Sequence, residues 1–443
     1  GAAPGRGERL VRWSGGNDPQ AGHLGRRTSL QACILSLYVR QDYGPAFRWA
    51  SVYRVESPNF HQNRLGIAIP ATLHDLGNMT NASAPTYLDA NATEPLRPAA
   101  REAVLEGLML SGNPSSVHAE GREARRFLEN ARSRISAGFG RISGTCVFTS
   151  GGTEADAMAI HAFGRGRRIL IGATEHDAVR KAAPEAVVIP VNGQGVLDLE
   201  YLRKKLSDGV PTLVCIMSAN NETGVLSPLR DVATLCRDSG AHLHVDAVQS
   251  AGRVPFDLTE CSVALSGHKM GGPKGAGALL LLQDEPIDAL MIGGGQERGR
   301  RGGTQAIPAL LGMATALEEA PKQDWSAVAR LRERVEQAAM AARSRVAGRE
   351  APRLPNTSCL ILDGVAAQVQ LMTLDLEGFC VSAGSACSSG KVSASHVLTA
   401  MGETTGASQA ISVSLPWNVR EEKVEAFCVA YGRMAARLRK VVS

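Results

Sequence analysis

The chain has 443 residues, 44% hydrophobic and 21% charged, which is too long for a single core and ordinary for a globular protein. Its net charge of +5 is concentrated at the front: residues 1–78 carry nine Arg and no Lys against five acids, which leaves the other 365 residues near +1 and gives no nucleic-acid footprint. Nine scattered cysteines with no CxxC pair argue against a disulfide framework or a zinc site and for a reducing compartment, and no apolar run approaches the ~20 residues of a membrane span.

Residues 1–78 differ from the rest. They hold two of the four Trp and three of the six Tyr, with weak periodicity, and the first Met is Met79. An Arg-rich targeting segment is one reading. The preferred one is a non-native or disordered extension outside the folded enzyme, with the natural start near Met79. From Thr86 on, short strands alternate with helices. Cys146–Thr149, Arg168–Ile171, Ala186–Pro190, Thr212–Ser218, His242–Asp246, Val263–Ser266 and Gly277–Leu282 read as buried strands. The stretch Arg122–Phe139 is a one-face helix, with Ala124, Phe127, Leu128, Ala131 and Ile135 on its apolar stripe. This alternation predicts an α/β fold with a mostly parallel sheet covered on both faces. After Pro308 a long helix (Val328 to Ala342) leads into a smaller α+β region closed by a second helix (Val424 to Leu438). The expected domains are a large one over 99–325 and a small one from 79–98 plus 326–443.

Ligands of such sheets sit beyond the strand C-termini, and the polar motifs fall there. Ser266-Gly267-His268-Lys269 follows Asp246-Ala247-Val248-Gln249 by about twenty residues. A lysine forms Schiff bases when its amine is desolvated, and a carboxylate holds a pyridine nitrogen protonated, which makes the ring an electron sink. The pair points to a pyridoxal-phosphate enzyme. Thr149-Ser150-Gly151-Gly152-Thr153-Glu154 joins a strand to a helix and lets backbone N–H groups approach a phosphate; the alternative is a plain Gly-rich turn. Thr174-Glu175-His176 ends the next strand, where His176 is placed to stack on a flat ring or is an ordinary satisfied histidine. Asn220-Asn221-Glu222-Thr223-Gly224 is otherwise a turn. The basic glycine-rich loops Gly293 to Arg298 and Arg301 to Thr304 are otherwise solvated or a nucleic-acid patch, a role that rests only on Arg-rich tracts such as Arg165–Arg168.

Together with Tyr87 to Thr93, Gly112 to Ser116, Gly271 to Gly275 and Ser385-Ala386-Cys387-Ser388-Ser389, these motifs strongly resemble the cysteine desulfurases of the NifS/IscS type, within the class V aminotransferases. The resemblance spans about residues 86–440 in family order. It implies the PLP-dependent transferase fold type I, aspartate-aminotransferase-like, with a smaller α+β domain. It implies pyridoxal 5'-phosphate as cofactor and no metal. Lys269 would hold the cofactor and move the substrate Cα proton. Asp246 would pair with the ring nitrogen and Gln249 with the ring hydroxyl, while His176 would stack and assist proton transfer. Asn221 would sit by the ring oxygen and substrate. Gly152, Thr153, Ser266 and His268 would seat the phosphate. Thr304 resembles a phosphate ligand donated by a second subunit, which implies a homodimer. The implied reaction takes sulfur from L-cysteine, leaving alanine and a Cys387 persulfide for an acceptor protein such as an iron–sulfur scaffold, or for tRNA thiolation. No membrane or direct nucleic-acid partner is expected, and the location is cytoplasmic, or organellar if residues 1–78 target the chain.

Cys387 decides the reaction. A free Cys is most often a small buried hydrophobe, but this one sits among Ser, Ala and Gly from Ser382 to Gly390, a loop composition suited to exposure. One position departs from the resemblance. In Ile411-Ser412-Val413-Ser414-Leu415, Ser412 stands where the family has an Arg that grips the substrate carboxylate. Losing such a charge-assisted pair should cost about 2–4 kcal/mol of binding, unless nearby Arg420 compensates. The alternatives are a selenocysteine lyase of the same fold and a catalytically weakened sulfur-transfer scaffold.

Overall fold

The computed structural model describes residues 85–384 and 393–442, together with two short earlier strands. Those two, Ser36–Tyr38 and Val52–Arg54, pair antiparallel within a first unit, Gly1–Met79. The rest of residues 1–78, and Cys387 with its neighbours 385–392, lie outside the described residues. A second unit, Thr80–Ser443, carries the sheet and the site.

That unit opens with β1 (Thr86–Tyr87), α1 (Pro98–Leu108) and α2 (Ala119–Ala137). Helix α2 starts three residues before the apolar stripe suggests, because His118 caps it: its Nδ1 accepts from Gly121 N at 3.2 Å. Ala124, Leu128, Ala131 and Ile135 are buried as their spacing requires. There follow β2 (Cys146–Thr149), α3 (Gly152–Gly164), β3 (Arg168–Gly172), α4 (Asp177–Arg180), β4 (Val187–Ile189), α5 (Leu199–Leu206), β5 (Thr212–Met217), α6 (Leu229–Ser239), β6 (His242–Asp246), β7 (Ser262–Ser266) and β8 (Gly277–Leu280). These strands form one seven-stranded sheet in the order β2-β8-β7-β6-β5-β3-β4. Only β8 is antiparallel to its neighbours.

Period-two alternation feeds two apolar layers. Phe148, Val214, Ile216, Val263 and Leu265 face one, with α2, α5, α6 and α7 (Ile307–Glu319) over them. Val147, Leu213, Cys215, Ala264 and Leu279 face the other, against Ala155, Met158, Ala159 and Phe163 of α3. Most of these strands are therefore nearly continuous in hydrophobicity, as expected of a sheet covered on both faces, and β6, with His242, His244 and Asp246 at alternate positions, is the exception.

A separate core forms beyond it. The helix α8 (Trp325–Ala341) and the last helix, α11 (Glu421–Val442), pack on an antiparallel sheet of β9 (Arg345–Val346), β10 (Thr357–Ile361) and β12 (Ala410–Ser414). Between them run α9 (Ala367–Leu376), β11 (Phe379–Cys380) and α10 (His396–Ala400). Leu88, Val328, Val335, Leu360, Ile411, Val413, Phe427 and Tyr431 fill this core. Strand β1 joins it by pairing in parallel with β11, which carries Asp89 and Asn91 toward the large sheet.

Candidate active site

A cavity of about 480 Å³ opens beyond the C-termini of the parallel strands. Ser150 to Glu154, His176, Asn221, Asp246, Gln249, Ser266, His268, Lys269 and Lys274 line it. The loops after β2, β3, β5, β6 and β7 supply them, so residues up to about 120 positions apart in sequence converge. Every cofactor-site residue expected from sequence lies in this lining except Thr304, which is exposed on the loop before α7.

The N-terminus of the thirteen-residue α3 forms one end, with Gly152 and Thr153 in its first turn. A Cβ on Gly152 would fall 2.5 Å from Val248 Cγ2, so the chain needs glycine for this close approach. Glu154 fixes the turn: it accepts from Ser150 N at 2.7 Å and pairs with Arg301 at 2.8 Å. Ser266 lies against this turn, its Cβ 3.6 Å from where a Cβ on Gly152 would fall, and His268 and Lys274 line the same cavity. His268 is pushed down to about 4 by burial and neighbouring lysines, and its Nδ1 lies 3.2 Å from Thr93 Oγ1.

Asp246 ends β6, where it is nearly buried, and one carboxylate oxygen accepts from Val248 N at 2.9 Å. Burial, then the carboxyl of Asp156, raises it to about 7. His176 caps α4, its Nδ1 accepting from Ala178 N at 3.1 Å, which leaves the proton of the neutral ring on Nε2. Burial lowers its pKa.

Lys269 donates to the carbonyl of Asn91. Burial, then Arg253, lowers its pKa to about 8, against the pull of Asp89 and Asp246. Arg253 is buried with Glu94 at 2.7 Å and also donates to Asn91 Oδ1 and Gln249 Oε1. Gln249 in turn donates to Asn91 O at 3.1 Å. This network around Asn91, which ties the β1 segment to the sheet, was not singled out by sequence reasoning. Its signal was the run Asp89 to Thr93, noted for resemblance but given no role.

A second cavity of about 400 Å³ shares Lys269, His176 and Asn221 with the first and adds Asp89, Asn91, Glu222, Ser382, Gly384, His396 and Ser412. Asp89 is raised to about 6 by burial, with Lys269 opposing. Glu222 lies between the described residues that flank 385–392. It accepts from Ser395 Oγ at 2.5 Å, and a Cβ on Gly384 would fall 2.0 Å from its Oε2. Burial pushes it up to about 7. A raised acid binds more protons folded than unfolded, so between about pH 4.5 and 7 stability falls as pH rises. Glu222→Gln is expected to flatten that window and to recover about 3 kcal/mol at pH 8, read from urea unfolding across pH. An unchanged profile would show that Glu222 is not the group that titrates.

Comparison with known proteins agrees with this geometry. The Aminotransferase class-V family model matches residues 86–427. The chain belongs to the class-V aminotransferase family. Within this family it is 44% identical over 334 residues to a cysteine desulfurase from Cereibacter sphaeroides, covering 71% of this chain and 86% of the relative. The NifS-like protein of Rickettsia africae superimposes with a TM-score of 0.73 at 32% identity, over 80% of this chain and 99% of that one. A structure of SspA in complex with cysteine aligns with a TM-score of 0.66 at 27% identity, over 75% and 99%. The class-V cofactor is pyridoxal 5'-phosphate, and the donor set fits it: one cavity holds a helix N-terminus with hydroxyls, a buried carboxylate and a desolvated amine.

Proposed function

We infer that the chain is a pyridoxal-phosphate-dependent cysteine desulfurase, which takes the sulfur of L-cysteine and releases alanine. The observation that carries this reading is Lys269, a desolvated amine in a cavity that also holds Asp246 and the α3 N-terminus. When bound, the cofactor withdraws electrons from the substrate Cα.

Gly152, Thr153, Ser266 and His268 would bind the phosphate, and Asp246 would face the ring nitrogen. Gln249 would reach the ring hydroxyl, and Asn221 would sit by the ring oxygen and substrate. Lys269 holds the cofactor and carries the Cα proton. Its pKa of about 8 leaves part of the amine uncharged near neutrality, where it can accept that proton. His176, neutral with its proton on Nε2, would stack on the ring and assist the transfer.

Cys387 is the nucleophile in this reading. Its thiolate attacks the sulfur of bound cysteine, an S–S bond forms and the substrate Cβ–S bond breaks. The electron pair of that bond passes to the carbon skeleton, and a proton added at Cβ gives alanine. The enzyme keeps a persulfide for an acceptor protein, an iron–sulfur scaffold or a tRNA-thiolation carrier. Thr304, exposed and outside both cavities, supports a homodimer in which it reaches the partner's phosphate. The described helices include none long and apolar enough to cross a membrane.

The test is incubation of the loaded enzyme with L-cysteine and labelling of persulfide sulfur. Label is expected at Cys387 and absent from Cys387→Ser. Label that persists in the variant, or appears at another cysteine, would overturn the assignment of the nucleophile.

One observation favours a weakened enzyme. Ser412 does line the second cavity, and Arg420 is exposed and lines neither, so it does not replace the missing guanidinium.

A further inference from the structure

Strand β6 carries His242, His244 and Asp246 at alternate positions, so all three share one face of the sheet. Helix α3 covers that face and brings down Asp156 and, two turns on, Phe163. His244 Nε2 lies 3.1 Å from Asp156 Oδ1, and its Nδ1 lies 2.9 Å from Ser262 Oγ on β7. The same hydroxyl lies 3.2 Å from His242 Nε2. The His242 ring stacks on Phe163 with centroids 4.0 Å apart.

Asp156 and His244 are 1% and 0% exposed. Polar groups in such a layer cost stability unless each is bonded, and here each link has its partner. Asp156 also lines the cofactor cavity beside Asp246, and two carboxyls in one wall do not both ionise cheaply.

The four groups admit few proton arrangements. If Asp156 is a carboxylic acid, it donates to His244 Nε2, Nδ1–H donates to Ser262, and Ser262 donates to His242 Nε2. All four are then uncharged. The alternatives place a carboxylate at Asp156, with His244 either neutral or cationic. The surroundings favour the first. Asp246, Glu175 and the Cys215 thiol face Asp156, and burial drives Asp156 well up and His244 down to about 4. His176 on the far side is held toward neutral as well.

We propose that Asp156 is a positioning residue for Asp246: held as an uncharged acid by the His244–Ser262–His242 chain, it leaves the cavity wall with one carboxylate charge, on Asp246. This rests on the reading that Asp246 faces the ring nitrogen.

The experiment titrates the visible absorption of the protein loaded with pyridoxal 5'-phosphate against pH, and records infrared spectra of the same samples. Asp156→Asn and His244→Gln are each expected to leave the titration midpoint within about 0.3 pH units, because neither removes a charge. A carboxylic-acid band present in the wild type should vanish in Asp156→Asn. A midpoint lowered by about one unit or more in Asp156→Asn would show a carboxylate there and overturn the proposal. A comparable rise in His244→Gln would show an ion pair and overturn it too. If Asp156→Asn does not fold, Asp156→Ser, which also removes the carboxyl, is read in its place, because His244→Gln alone does not separate an uncharged pair from a carboxylate beside a neutral His244. Asp246→Asn is the control: a midpoint that does not move in it removes the ring-nitrogen reading itself, whatever Asp156 does.

Discussion

Lys269→Ala is expected to purify without a visible cofactor band and to release alanine from L-cysteine at a rate reduced on the order of 10⁴-fold. The amine is the one lysine shared by both cavities. It sits between Asp89 and Asp246, and its hydrogen bond to the Asn91 carbonyl fixes its position. The same substitution makes a second, independent prediction about the cofactor-free protein. A buried lysine whose folded pKa is about 8, against 10.5 for an ordinary one, binds fewer protons folded than unfolded between those values. Stability of the apo wild type therefore rises with pH across about 8 to 10.5. Lys269→Ala should abolish that rise. Absorption spectra and pH-dependent thermal unfolding read the two effects separately. A variant that keeps the yellow band would sink the covalent assignment, and one that keeps the pH slope would place the titrating group elsewhere.

Much of this site was legible because each motif followed an apolar strand. His242–Asp246 was read with its observed bounds, and Val263–Ser266 began one residue late. Once those strands were placed in one parallel sheet, the rule that ligands gather beyond strand C-termini brought Asp246, Ser266, His268 and Lys269 together. Gly277–Leu282 was read as one more strand of a mostly parallel sheet. It ends at Leu280 and runs antiparallel, because only the ten residues 267–276 join it to β7, too few for a parallel crossover. Contacts between distant segments were not legible. The Asn91 carbonyl at Lys269, the Arg253–Glu94 pair and the Asp156–His244 link join residues 88 to 178 positions apart. Local periodicity carries no information about such partners. The alternation of His242, His244 and Asp246 did carry a signal: three ionisable residues on one face of a buried strand call for partners overhead.

Ser412→Arg is expected to raise kcat/KM for L-cysteine by about 30- to 1000-fold, mostly through KM. Ser412 lies within β12, 5% exposed, and its backbone exchanges hydrogen bonds with Ser382 at 3.1 and 2.6 Å. Its Oγ donates to the Glu222 carbonyl at 3.1 Å. The described residues lining the second cavity include Lys181, Lys269, His176 and His396 but no arginine, and they also include Asp89, Asp177 and Glu222. Lys181 is paired with Asp177 at 2.8 Å, and burial lowers both histidines toward neutral. A substrate carboxylate thus meets acids and a committed lysine. A guanidinium projecting from position 412 would give it two parallel N–H donors. The substitution forfeits one hydroxyl bond, about 1 kcal/mol, which is smaller than the expected gain. L-Cysteine methyl ester separates this effect from a general improvement of the site, because it keeps the amine and thiol and lacks the anion. The gain should appear with cysteine and be largely absent with the ester. Equal gains on both would mean that the arginine acts by reshaping the cavity, and no gain on either, with thermal stability intact, would mean that the carboxylate is not held at position 412.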